Sequence, residues 1–229
     1  CMEYPHNRPY TADDLVRIIT LLRDPVNGCP WDKVQTHTSI RMNFLEEAYE
    51  AVDALDLDDP VLMCEELGDV LMQVAFHTCM EQETGRFTWE QVCDGVCQKL
   101  IERHPNIFGT QPGYEGITDW DALKNKEKGR RTLADDLESV PRAMPALLRA
   151  AKLQKRAARH GAALQGADAA ALADAAENLQ TAQPASAQAE QAVGELLFAA
   201  ANLARQAGVD PEQALQKANE AFCTAAGPV

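Results

Sequence analysis

Apolar residues recur three and four positions apart along most of this chain, and runs with strand-like alternation are nearly absent. Thr11-x-x-Asp14 has the form of a capping box and opens a helix whose apolar face carries Leu15, Ile18, Ile19 and Leu22. The stretch from Pro25 through Gly28 to Pro30 breaks it and starts a loop. A second helix is expected from about Ser39 to Leu57. Asp59-Pro60 supplies an N-cap followed by proline at the first helical position, so a third helix should run to about Glu83 and stop at Gly85. Thr88-x-x-Gln91 caps a fourth, reaching His104 before Pro105. Thr118-x-x-Asp121 opens a fifth through about Lys128. Residues 131–145, with Pro141 and Pro145, read as a junction. Beyond it alanine dominates, and Asp210-Pro211 repeats the cap-then-proline start. The pattern predicts an all-α protein.

Helices two and three carry the most informative residues. Glu46-Glu47-x-x-Glu50 lies on one, Glu65-Glu66-x-x-Asp69 on the next. Carboxylates three apart leave a helix from the same face. Packed as a hairpin, the two helices would aim Glu47, Glu50, Glu66 and Asp69 at one point. Four carboxylates share a partly buried site only when a cation neutralises them, and hard oxygen ligands suit Mg²⁺ or Mn²⁺. Residues 67–76 are apolar on nearly every side, so the third helix is expected to be buried all round, with Asp69 inside it. Gly68 within a helix points to a close approach by a neighbouring helix or a ligand.

Charge and cysteine usage narrow the classes. A formal net charge of −14 argues against a nucleic-acid polymer as partner, but not against a nucleotide, which needs only local cations and a metal. Seven cysteines without a framework spacing fit free thiols in a reducing cytoplasm. The first residues carry charges instead of a leader's apolar stretch, and no window has the length of a membrane span.

The chain also echoes itself. Gly68-Asp69-Val70-Leu71 is matched by Gly194-Glu195-Leu196-Leu197, and Asp174-x-x-Glu177 stands where Glu47-x-x-Glu50 stands upstream. The second copy looks worn, with Ala192 at the place of Glu66 and Ala173 at that of Glu46.

Together these residues resemble the MazG nucleoside triphosphate pyrophosphohydrolases. The resemblance runs through Leu22-Arg23-Asp24-Pro25-x-x-Gly28-Cys29-Pro30-Trp31-Asp32, the two acidic pairs, Gly85-Arg86-Phe87, Lys99-x-x-x-Arg103-His104-Pro105 and Trp120-x-x-x-Lys124. It is dense over residues 11–130. It implies an all-α helical bundle completed by a homodimer. It also implies Mg²⁺-dependent cleavage of a nucleoside triphosphate to monophosphate and pyrophosphate. Glu47, Glu50, Glu66 and Asp69 match the family's metal ligands. Lys99 and Arg103 match its phosphate contacts, and Trp120 with Lys124 a further substrate-contacting turn. Glu46 or Glu47 could take the proton of the attacking water. Lys99 and Arg103 at a helix end also suit its dipole, Trp31 reads as a loop anchor, and His77 reads as a core histidine.

On this reading residues 1–130 form the catalytic domain. Residues 146–229 form a degenerate, structural second half, with Ala221 and Ala225 where Lys99 and Arg103 would stand. Narrower relatives, acting on deoxynucleotides or phosphoribosyl-ATP, and a non-enzymatic nucleotide-sensing adaptor are the competing readings.

Overall fold

In the computed structural model the Thr11 hydroxyl accepts from the Asp14 amide, and the Asp14 carboxylate accepts from the Thr11 amide at 2.9 Å. This capping box starts helix α1, Ala12–Leu22. The structure describes residues 2–105, 107–109, 128–129 and 132–227; the expected fifth helix, with Trp120 and Lys124, lies outside them. Among the described residues every regular element is helical. They fall into two compact units, Cys1–Ile117 and Thr118–Val229.

The first unit contains α1, a short 3₁₀ turn (Asp32–Val34), α2 (Arg41–Asp56), α3 (Pro60–Glu83) and α4 (Trp89–Arg103). Asp59 Oδ1 accepts from the Val61 and Leu62 amides to start α3, and a reciprocal Thr88–Gln91 box starts α4. Ser39, taken above as the start of α2, instead exchanges hydrogen bonds with Thr36, so α2 begins two residues later without a side-chain cap. The core comprises Ile19, Ile40, Ala75, Phe76, Cys79, Met80 and Trp89. It lies along the C-terminal half of α3, where α1 and the start of α4 meet.

Two expectations about α3 are corrected. The helix is not buried all round, because Leu67 and Leu71 in its N-terminal half are exposed; only from Gln73 onward does the core enclose it. A Cβ at Gly68 would meet nothing within 4 Å, so no close approach demands glycine there. Gly28 is different. A Cβ there would lie 2.4 Å from the Asp24 carbonyl oxygen and 2.5 Å from that of Leu22. The same loop is tied by Arg23, whose guanidinium is bidentate to Glu83 (2.5 and 2.8 Å), donates to the Asp32 carbonyl at 2.7 Å and lies over the Phe76 ring.

The second unit contains α5 (Leu133–Glu138), α6 (Ala146–Arg159), α7 (Ala169–Thr181), α8 (Ala187–Gln206) and α9 (Pro211–Ala226). The stretch 131–145, read above as a junction, thus holds a helix capped by Thr132 and packed on α6. Asp136 of that helix is only 1% exposed and faces Arg156, Arg159 and His160. Helices α7 and α8 pack as a hairpin, and Ala175, Ala192, Ala199 and Ala201 on them are buried.

Candidate active site

The hairpin of α2 and α3 brings Glu47, Glu66 and Asp69 together, with one carboxylate oxygen of each within 4.8 Å of the others. Glu47 leaves α2 facing α3, and Glu66 and Asp69 are three apart on α3, so one face of each helix supplies the group. All three are half-buried. Glu50, the fourth expected ligand, is exposed and falls outside this tight group. Its charge nevertheless bears on both Glu47 and Glu66. It stands at the rim, one turn along α2 from Glu47 and within reach of its carboxyl. Glu46 is exposed, four residues before Glu50 and on its side of α2.

Electrostatics mark the site as under strain. Loss of hydration pushes the Glu47 carboxyl above its usual range; the Asp69 and Glu50 charges add to this, and the Gln73 amide opposes it. Glu66 is raised by desolvation and then by the charges of Glu50, Glu65 and Asp69. A carboxyl raised in the folded state binds its proton more tightly there than in the unfolded chain. The cluster is therefore destabilising when ionised, and the penalty fades as pH falls through the folded value toward the unfolded one. Glu66→Gln should raise the melting temperature of the metal-free protein near pH 7, and the gain should shrink toward about pH 4. An equal gain at both ends would show that charge repulsion is not its source.

Gln73 is a site residue that sequence reading missed. It lies one turn beyond Asp69, is buried, and its Nε2 donates to Glu47 Oε1 at 3.4 Å. The available signal was a lone amide within the apolar run of residues 67–76. Further along the same face, His77 Nδ1 lies 2.7 Å from His37 Nδ1, with the rings stacked and Phe44 edge-on. Burial, with His37 adjacent, holds the His77 imidazole below its usual range. Buried Glu81 receives His37 Nε2 at 2.5 Å and Arg86 Nε at 2.6 Å. His77 thus has a polar partner, as expected of a core histidine. Trp31 is 57% exposed, its ring meeting Phe76 edge-to-face with centroids 6.5 Å apart, a looser seat than an anchor.

Lys99 and Arg103 lie one turn apart near the C-terminus of α4, Lys99 exposed and Arg103 half-buried. In the second unit a cavity of about 670 Å³ opens beside the α7–α8 hairpin, lined in part by Asp174, Asn178, Glu195 and Phe198. Ala192 of that hairpin is only 2% exposed, so its methyl is packed between helices where the first hairpin carries the half-buried Glu66.

Comparison with known proteins bears on this hairpin directly. The MazG nucleotide pyrophosphohydrolase domain matches residues 35–108, which span α2, α3 and α4. A nucleoside triphosphate pyrophosphohydrolase of Escherichia coli (strain K12) is 41% identical over 219 residues, covering 92% of this chain and 83% of the relative. A nucleoside triphosphate pyrophosphohydrolase/pyrophosphatase MazG of Thermotoga maritima is 39% identical over 212 residues, covering 92% and 82%. A nucleoside triphosphate pyrophosphohydrolase of Mycobacterium tuberculosis is 34% identical over 154 residues, covering 66% and 46%. An acidic helical hairpin inside the matched domain, and likeness over most of the length of two relatives, give one conclusion: the chain belongs to the MazG family.

Proposed function

We propose that this protein hydrolyses nucleoside triphosphates between the α- and β-phosphorus, releasing monophosphate and pyrophosphate. The observation that carries this reading is the convergence of Glu47, Glu66 and Asp69 from two helices of the matched domain. Their donor atoms are all carboxylate oxygens, and loss of hydration followed by neighbouring negative charge raises Glu47 and Glu66. That set fits Mg²⁺, with Mn²⁺ as a substitute. Glu47, Glu66 and Asp69 would hold the ion, and Glu50 would complete the set. When bound, such an ion neutralises phosphate charge and acidifies a water.

The chain's own side chains supply the remainder. Glu46 is exposed and outside the ligand group, which leaves its carboxylate free of coordination to accept the water's proton. Lys99 and Arg103 would face the departing pyrophosphate, the guanidinium in bidentate fashion. Trp120 would lie beside base or ribose and Lys124 beside phosphate, roles that come from the family resemblance. Lys99→Ala and Arg103→Ala should each lower kcat/KM by about 10- to 100-fold, the worth of a charged hydrogen bond at roughly 1.5–3 kcal/mol. Unchanged kinetics would assign both residues to the helix terminus alone.

The second unit reads as a worn, structural copy of the first, since Ala192 stands where Glu66 would bind and is packed away. Exposed Tyr49, Val52, Leu55, Leu67 and Leu71 on α2 and α3 support pairing with a second copy of this chain. A monomeric mass in sedimentation would overturn that pairing. No helix among the described residues is long and apolar enough to cross a membrane. Cys29, Cys64, Cys79, Cys93, Cys97 and Cys223 are free, which supports a cytoplasmic setting that cell fractionation would test.

Product analysis tests the central reading. Each standard ribo- and deoxyribonucleoside triphosphate is incubated with the protein and Mg²⁺, and the products are identified. Monophosphate plus pyrophosphate is expected, and the ranking of bases and sugars would separate broad from narrow specificity. Diphosphate plus phosphate would overturn the proposed cleavage. No turnover at all would favour a nucleotide-sensing adaptor.

A further inference from the structure

Gln73 is 7% exposed and stands one helical turn past Asp69. Its Nε2 donates to Oε1 of Glu47 at 3.4 Å, while its own Oε1 is buried without a hydrogen-bond partner. Its neighbours in sequence, Met72, Val74, Ala75 and Phe76, pack in or against the core. Leucine or methionine would fill such a position without stranding a polar atom. An amide kept here at that cost, and aimed into a group of carboxylates, breaks the local rule of the core, and such breaks concentrate at functional sites. At 3.4 Å the hydrogen bond is long and contributes little energy by itself.

We propose that Gln73 is a positioning residue of the metal centre: its amide holds Oε1 of Glu47 and so would orient that carboxylate toward the cation. The inference rests on the metal reading given above. Groups that orient a ligating carboxylate typically change metal affinity by about 10- to 100-fold when removed. Glu47 is the one member of the tight group contributed by α2, so its orientation decides whether both helices grip the same ion.

The test uses the full chain with Mn²⁺ as probe. Binding is titrated by electron paramagnetic resonance on wild type, Gln73→Met and Gln73→Leu, and the same samples are melted in EDTA. The variants are expected to bind Mn²⁺ about 10- to 100-fold more weakly. They should melt in EDTA at or above the wild-type temperature, since the stranded oxygen is gone. A residue that merely packs would not move these two readouts in opposite directions. Wild-type affinity in a folded variant overturns the positioning role and leaves the metal reading intact. Variants that melt well below wild type in EDTA make Gln73 a packing residue and overturn it as well. A wild-type chain that binds no Mn²⁺ overturns both readings together.

Discussion

Asp69→Asn is expected to lower the turnover of nucleoside triphosphates by about 10²- to 10³-fold, the usual cost of removing one charge-stabilising group from an active site. The same substitution should leave the melting temperature of the metal-free protein unchanged or higher. The reason lies in the charges around it. Asp69 raises the carboxyls of both Glu47 and Glu66, so its removal relieves repulsion in the resting protein while it deletes a ligand. A control comes from the second hairpin. Asp174 and Glu195 line a cavity there, but the third acidic position is the packed methyl of Ala192. The double substitution Asp174→Asn, Glu195→Gln should therefore leave turnover at the wild-type level. Activity retained in Asp69→Asn, together with activity lost in the double variant, would move the catalytic site to the second unit.

The largest effect on stability is expected in the second unit, at Asp136. Asp136→Asn should destabilise the second unit by roughly 3–5 kcal/mol, as when one partner of a buried ion pair is removed. Arg156 Nη1 lies 3.1 Å from Asp136 Oδ1, donates to the Asp136 carbonyl at 2.5 Å and also bonds the Ser139 hydroxyl. Arg159 Nη2 reaches Oδ2 at 2.8 Å, and His160 Nε2 reaches it at 3.1 Å. Asparagine keeps the shape and removes the charge, so Arg156 is left buried without its counter-ion. For a unit of this size the loss corresponds to a fall in melting temperature of at least about 10 °C. Asp136→Asn combined with Arg156→Met should recover much of it, because the uncompensated charge is then gone. A loss under about 1 kcal/mol in the single variant would rank the pair with surface ion pairs.

What could be read from the chain depended on how local the physics was. Caps are made within four residues, so Thr11–Asp14, Asp59-Pro60, Thr88–Gln91 and Asp210-Pro211 all appear as helix starts in the structure. The meeting of Glu47 with Glu66 and Asp69 was legible because helical periodicity plus a short connection leaves a hairpin few choices. Burial was not. The apolar run 67–76 has the same composition throughout, yet Leu67 and Leu71 are exposed while Ala75 and Phe76 are buried. The buried part is the one that shares a core with Ile19 of α1 and Trp89 of α4, contacts that no local pattern encodes. Asp136 was missed for a related reason. In sequence it is one acid in an acidic turn, and its partners Arg156, Arg159 and His160 lie 20 to 24 residues away. Gln73 carried a signal, an amide in an apolar stretch, but its meaning appears only once Glu47 arrives from the other helix.

The loop between α1 and α2 has a practical consequence for anyone mapping this protein by mutation. At Gly28 even a methyl group would overlap main-chain oxygens from Leu22 and Asp24, well inside van der Waals contact. Main-chain atoms cannot rotate aside as side chains do. A saturation screen scored on activity would therefore flag position 28 as intolerant of every replacement, alongside the carboxylates of the hairpin. The two kinds of intolerance would be told apart by how much folded protein survives: plenty for the carboxylate variants, little for the glycine ones.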